Sequence, residues 1–234
     1  MKGLIAGLMA LVTAGQPIGI SPCPGVRPGA RVVIVGRTWC TSNFLFKGSD
    51  GYRYIGTAGH CVVDGGLADF GDEGARVRSA EGDPIGRVAY GALGNGNDFA
   101  LIRLDANVET DAEMCHFGGP TGIFTGESEE PAVLHHYGFG LGFGYVEPAD
   151  QTVVPARTAV APRIVDTNSV GAVGTASPGD SGSPVIDDTG RAVGVLVGLG
   201  GESQNLINIR RLGPQLELAS KTLDIRLRLM RAPY

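Results

Sequence analysis

Charge is scarce in this chain of 234 residues: 18% are Asp, Glu, Lys or Arg, and the formal net charge is −5. That balance argues against nucleic acid as a partner and against attraction to an anionic membrane surface. The apolar run Leu4 to Ala14 falls short of the roughly 20 residues that span a bilayer, so no stable membrane insertion is expected from it. Cysteine is limited to four residues, Cys23, Cys40, Cys61 and Cys115, and no C-x-x-C pair is present, which argues against a tetrahedral zinc site. Helical periodicity is almost missing. Only Gly213 to Lys221 (GPQLELASK) carries it, with Pro214 suited to a first helical turn. There is no solenoid repeat.

The chain instead has 38 glycines and 14 prolines within a composition that is 43% hydrophobic. It is too apolar for disorder and too rich in helix breakers for an α-fold. Short apolar and β-branched runs recur between turn signals. They are Arg31 to Gly36, Phe44 to Phe46, Tyr52 to Thr57, Ala75 to Val77, Ile85 to Tyr90 and Phe99 to Leu104. After residue 131 come Ala132 to Tyr137, Gly144 to Val146, Thr152 to Ala161, Pro184 to Ile186 and Ala192 to Leu199. Gly48 to Gly51 and Gly94 to Asn97 read as tight turns, and the acidic stretch Gly65 to Gly74 reads as a loop. The glycine-, proline- and acid-rich residues 117–131 read as a linker between two halves. The pattern predicts an all-β chain of sandwich or barrel type ending in a short helix.

At the N-terminus, Lys2, an apolar run and small residues form the pattern of a secretory signal peptide over 1–14, with Val12-Thr13-Ala14 as a cleavage site. A buried N-terminal segment of a cytosolic protein is the competing reading. Four cysteines behind such a segment favour two disulfides in an oxidising compartment, although the count alone leaves three pairings open.

Three segments carry chemistry. Glycines flank Ser181 on both sides in Pro178-Gly179-Asp180-Ser181-Gly182-Ser183-Pro184, so the backbone can turn sharply there and aim N–H groups into one concavity. A serine hydroxyl barely ionises at neutral pH and needs a base within reach. His60, in Thr57-Ala58-Gly59-His60-Cys61, is of the right type. An imidazole in turn needs an acceptor on its second nitrogen, and Asp98 opens the apolar run Phe99 to Leu104, at the edge of a core.

TAGHC, NDFALI and GDSGSP in this order, with His60, Asp98 and Ser181 separated by 38 and 83 residues, resemble the chymotrypsin-like (trypsin-fold) serine peptidases, nearest their bacterial secreted, streptogrisin-like branch. The resemblance covers Cys23 to Leu212. It implies two antiparallel six-stranded β-barrels, over 23–116 and 132–212, followed by the helix and tail of 213–234. It implies His60, Asp98 and Ser181 as a catalytic triad and the N–H groups of Gly179 and Ser181 as an oxyanion hole. It implies a Cys40–Cys61 disulfide beside the histidine, which leaves Cys23–Cys115 as the second pair. Thr175 occupies the family's specificity position, with Val197, Gly198 and Leu199 as the pocket wall, so small or medium apolar side chains are the expected preference. The expected protein is a secreted monomer acting on protein or peptide substrates, with no cofactor and no metal. An inactive, peptidase-like binding or adhesion protein is the alternative.

Other features receive plainer readings. Ile34-Val35-Gly36 lies four residues before Cys40, too close for an activation terminus, so Asp180 is expected to meet a cation from elsewhere. Adjacent His135 and His136 point to opposite faces of a strand and cannot readily chelate one ion. Asp64, Asp69, Asp72 and Glu73 read as a solvated loop rather than a calcium site. Glu127, Glu129 and Glu130 read as an exposed linker face.

Overall fold

The computed structural model describes residues 25–114, 117–126, 131–139, 157–199 and 206–234. Cys23, Cys115, His116, the acids of 127–130 and the signal-peptide segment lie outside them. The predicted strand Gly144 to Val146 and the first part of Thr152 to Ala161 also lie outside.

The first half forms a single antiparallel sheet. Its strands are β1 (Arg31–Ile34), β2 (Trp39–Thr41), β3 (Leu45–Gly48), β4 (Arg53–Thr57), β5 (Gly66–Asp69), β6 (Arg76–Arg78), β7 (Pro84–Gly94) and β8 (Asn97–Leu104). Neighbours run β3-β4-β8-β7-β6-β1-β2, and β5 pairs with β7. The strands at the two ends of this order, β2 and β3, belong to one stretch of chain broken only at residues 42–44. There Asn43 N donates to Gly56 O and Gly56 N donates to Phe44 O, so the sheet curls back on itself.

The second half closes fully. Strands β10 (Val133–His136), β11 (Arg157–Asp166), β12 (Ser169–Val173), β13 (Pro184–Asp187), β14 (Arg191–Leu199) and β15 (Leu206–Arg211) form the ring β13-β10-β11-β12-β15-β14, shut by the β13–β14 pairing. Helix α1 (Leu212–Thr222) follows, as predicted. The fold is all-β, with one closed six-stranded barrel in the second half, a first sheet of more than the expected six strands that curls into an open barrel, and a short C-terminal helix.

Strand β8 explains why its sequence is apolar without alternation. Side chains on a strand point alternately to its two faces. Ala100, Ile102 and Leu104 enter the core of the first barrel with Val32, Ile55 and Val77. Phe99 and Leu101 enter a second core with Tyr90, Ile186, Val195 and Leu216 that lies between the barrels and under the helix. Strand β14 is shared in the same way. Val193 and Leu196 face the core of the second barrel, whereas Ala192 and Val195 face the joint core. Two barrels welded by such a core hold residues from both at fixed positions.

Three stretches differ from expectation. Residues 65–74 are not all loop, because Gly66–Asp69 pairs with β7 as a mostly exposed edge strand. Within 117–131, Gly122–Ile123 (β9) pairs in parallel with β14. Within 213–234, Leu227–Leu229 (β16) adds to β3 of the first sheet. Short strands with few buried residues leave little trace in apolar patterning.

Candidate active site

His60 sits in a 3-10 turn, Gly59–Cys61, directly after β4. The turn is packed so tightly that a side chain at Gly59 would collide with Ala92 O and Phe99 N, which accounts for glycine at that position. A disulfide between Cys40 and Cys61, as the resemblance implied, anchors the turn to β2. Arg37 Nε donates to Cys61 O at 3.2 Å. Turn and disulfide together place the imidazole over the start of β8.

The Asp98 carboxylate receives His60 from two directions. His60 N donates to Oδ1 at 2.9 Å, while Nδ1 lies 2.9 Å from Oδ2 and 3.2 Å from Oδ1. In the neutral ring, a hydrogen bond to a carboxylate selects the tautomer with the proton on Nδ1, which makes Nε2 the acceptor nitrogen. The Asp98 side chain is 10% exposed and that of His60 is 34% exposed. The acceptor is thus shielded, while the ring stays partly open to solvent. Asp98 is further held from α1. The fully buried Gln215 accepts from Asp98 N at 3.4 Å and donates to Asn97 Oδ1 at 3.3 Å and to Gly96 O at 3.5 Å.

Ser181 lies in the turn between β12 and β13. Gly179 and Gly182 both have φ of +97°, a conformation in which an L-side chain is strained. A side chain at Gly182 would meet Thr57 Oγ1 at 2.5 Å and Ala58 N at 3.1 Å, so this turn lies directly against the histidine segment. Thr41 stitches the two barrels together here. Its N–H donates to Ser181 O at 2.8 Å and its hydroxyl to Gly179 O at 2.7 Å, and it receives Phe139 N at 2.9 Å. Gly182 N donates to Leu196 O at 2.7 Å. Asp180 is fully buried, and its Oδ2 accepts from Ser177 N at 2.8 Å and from Ser177 Oγ at 3.3 Å. In this turn Asp180 N bonds Ser177 O and Ser183 N bonds Asp180 O, whereas Gly179 N and Ser181 N have no acceptor among the described residues. The turn therefore presents two alternate, unspent N–H donors beside a serine. Among the described residues the Ser181 hydroxyl is not hydrogen-bonded to the imidazole, a contact that often tightens only when substrate binds.

The remaining predicted residues are more dispersed. Thr175 is exposed in the connection after β12. Val197 and Gly198 are half-buried at the end of β14, Leu199 is 43% exposed, and the space beside the Gly198 Cα is open. His135 and His136 do face opposite ways, with His136 1% exposed and the His135 ring tilted against Phe117 at 5.7 Å between centroids. Asp64 and Asp72 are bound by Arg37 and Arg103, and each arginine draws its partner's carboxyl below the usual range. Cys40, His60 and Cys61 lie close enough to suggest a metal cluster, but the two sulfurs are bonded to each other and cannot act as thiolate ligands.

The sequence reading missed Thr41, Gln215 and Trp39. The Trp39 ring fills the space beside Gly179, and the Arg31 guanidinium lies 4.6 Å from its centroid. Only Gln215 left a signal. It falls at i+3 in the buried stripe Leu212, Gln215, Leu216, Ala219, where a polar residue needs a partner.

A family model described as trypsin matches residues 50–210, well over half of the chain. No curated protein matches the chain in sequence. Among solved structures, Thermobifida fusca protease A is similar with a TM-score of 0.59 at 17% identity, over 88% of this chain and 100% of that one. A Nocardiopsis protease is similar with a TM-score of 0.56 at 20% identity, over 87% and 100%. A Cellulomonas bogoriensis chymotrypsin is similar with a TM-score of 0.55 at 20% identity, over 88% and 99%.

Proposed function

The chain belongs to the trypsin family and is a serine-type peptidase, and from that premise we propose that it is an exported endopeptidase working through His60, Asp98 and Ser181. The observation that carries this reading is the His60–Asp98 pair. It fixes the ring tautomer with Nε2 unprotonated, beside a turn that offers a serine and two unspent N–H groups. In the proposed reaction, Ser181 Oγ attacks the peptide carbonyl carbon as its proton passes to His60 Nε2. The carbonyl oxygen becomes an oxyanion and is met by Gly179 N and Ser181 N. Each such donor contributes about 3 to 4 kcal/mol in the transition state. The imidazolium, stabilised by Asp98, then protonates the leaving amine as the C–N bond breaks. Water, deprotonated by the same Nε2, attacks the acyl-enzyme and releases the acid. No cofactor is required.

Export is supported by the Cys40–Cys61 disulfide, a bond that persists in oxidising compartments. No helix among the described residues is long and apolar enough to cross a membrane. Thr175 brings no charge to the substrate pocket and Leu199 would narrow it, so small or medium apolar side chains are the proposed preference.

Hydrolysis of a peptide library tests both levels. Ser181→Ala is expected to lower turnover on the order of a millionfold. Undiminished hydrolysis by that variant would remove the assignment. A preference for arginine or lysine would show that Thr175 does not line the pocket.

A further inference from the structure

On the outer face of the first barrel, the strand register aligns cations. Arg228 of β16 lies opposite Lys47 of β3, and Lys47 lies opposite Arg53 of β4. Directly opposed residues on one face stand about 5 Å apart, and like charges so placed destabilise the sheet. Arg226, just before β16, lines the same surface depression as Arg228 and Lys47. The burial agrees, because Arg226 and Arg228 are exposed while Leu227 and Leu229 are half-buried.

These charges are not neutralised by carboxylates. Among the described residues, Lys47, Arg226 and Arg228 form no ion pair, and Arg53 bonds only the neutral Thr110 Oγ1 at 2.7 Å and Ala106 O at 3.0 Å. The nearest acid in the turn, Asp50, keeps its charge but turns its oxygens to tyrosines and, among the described residues, forms no ion pair with the row. Its Oδ2 accepts from Tyr54 OH at 2.6 Å and its Oδ1 from Tyr52 N at 3.1 Å. Asp224 is exposed, two residues before Arg226. The row borders this half-open surface depression of about 370 Å³, lined by Lys47, Gly48, Ser49, Gly51, Arg226 and Arg228. Ser49 N donates to Arg226 O at 2.9 Å and Ser49 Oγ accepts from Arg226 N at 3.0 Å, so this exposed hydroxyl is held beside Arg226 with its proton free.

We propose that this depression binds a compact polyvalent oxyanion of the phosphate class. Two guanidinium forks, an ammonium and a hydroxyl donor around one concavity match the oxygens of a phosphate or diphosphate better than the single charge of a carboxylate. Concentrated cations in a chain with a net charge of −5 make the attraction local. Binding relieves the cross-strand repulsion, so occupancy stabilises the hairpin of β3 and β4 together with β16. The proposal is independent of the triad, which belongs to a different part of the molecule.

Calorimetric titration of the full chain with pyrophosphate at fixed ionic strength tests it, alongside thermal melts. Lys47→Gln and Arg228→Gln change outward-facing side chains, and Arg163→Gln on β11 serves as the control. The expected result is saturable 1:1 binding that weakens tenfold or more in both depression variants and is unchanged in the control. Pyrophosphate raises the melting temperature of the parent only, and without ligand Lys47→Gln melts above the parent. Absence of saturable binding, or equal binding by parent and depression variants, would overturn the site. Tighter binding of a glutamate-rich peptide than of pyrophosphate would overturn the ligand class.

Discussion

Gln215 donates and accepts across the joint between α1 and the segment that carries Asp98, without exposing any atom to solvent. It touches neither the imidazole nor the site of the reacting bond, so it is a positioning residue. Gln215→Leu keeps the volume and leaves Asp98 N and Asn97 Oδ1 without this partner. Each lost bond is worth about 1 kcal/mol, so kcat is expected to fall roughly 5- to 30-fold. KM should change little, and circular dichroism should report a folded protein. An unchanged kcat would mean that the carboxylate is held by His60 and β8 alone. Thr41 acts at the same scale from the other barrel. Its hydroxyl and N–H fix two carbonyls of the Ser181 turn, leaving the N–H groups of Gly179 and Ser181 unspent among the described residues.

At the scale of the element, the Cys40–Cys61 bond ties β2 to the histidine turn across a sequence separation of 21. Closing a loop of that length stabilises by about 3 kcal/mol in the chain-entropy model. The double variant Cys40→Ser, Cys61→Ser is therefore expected to lose about 3 kcal/mol in urea unfolding, and a loss under 1 kcal/mol would contradict the model. The legibility of each element followed its burial. Phe99 to Leu104 could be read because β8 is buried on both faces and four apolar residues, Phe99 to Ile102, follow one another without a break. Strand β5 reads Gly-Leu-Ala-Asp with Leu67 53% exposed, so no apolar run or alternation marked it against a loop. Leu227-Arg228-Leu229 does alternate, but three residues are too few to separate a strand from a tail. The site divided along the same line. His60, Asp98 and Ser181 stand in local motifs whose glycines are needed for sharp turns. The helix-to-strand contact of Gln215 and the barrel-to-barrel contact of Thr41 arise only when distant segments dock, and local sequence does not encode that geometry.

Across the whole molecule, two barrels share one apolar joint, and polar pins sit at its rim. Asp187, fully buried at the end of β13, instead pins the turn into β14 within the second barrel. Burial pushes its carboxyl pKa up, but bonds from the Thr189 hydroxyl, from Arg191 and from the Thr189 N–H outweigh this and leave it below the usual range. Arg191 Nε lies 2.7 Å from Oδ2. A carboxyl lowered in the folded state stabilises the fold above about pH 4, the unfolded value, and that contribution drains away as pH falls through the folded value. Asp187→Asn should cost about 2 kcal/mol at pH 7 and flatten the loss of stability below pH 4. Urea titrations at both pH values would register this, and an equal loss at each would contradict it. The chain end also bridges the halves. Ala232 N donates to Pro120 O at 2.9 Å, and the Tyr234 ring packs 5.9 Å from Phe117 and against Gly190. What all this scaffolding is proposed to serve is a single activated hydroxyl, and a fluorophosphonate probe reads that directly. Intact mass and peptide mapping should find one adduct per chain, located on Ser181 and lost in both Ser181→Ala and His60→Ala. Labelling that survives in His60→Ala at the parent rate, or that maps to another residue, would contradict the account.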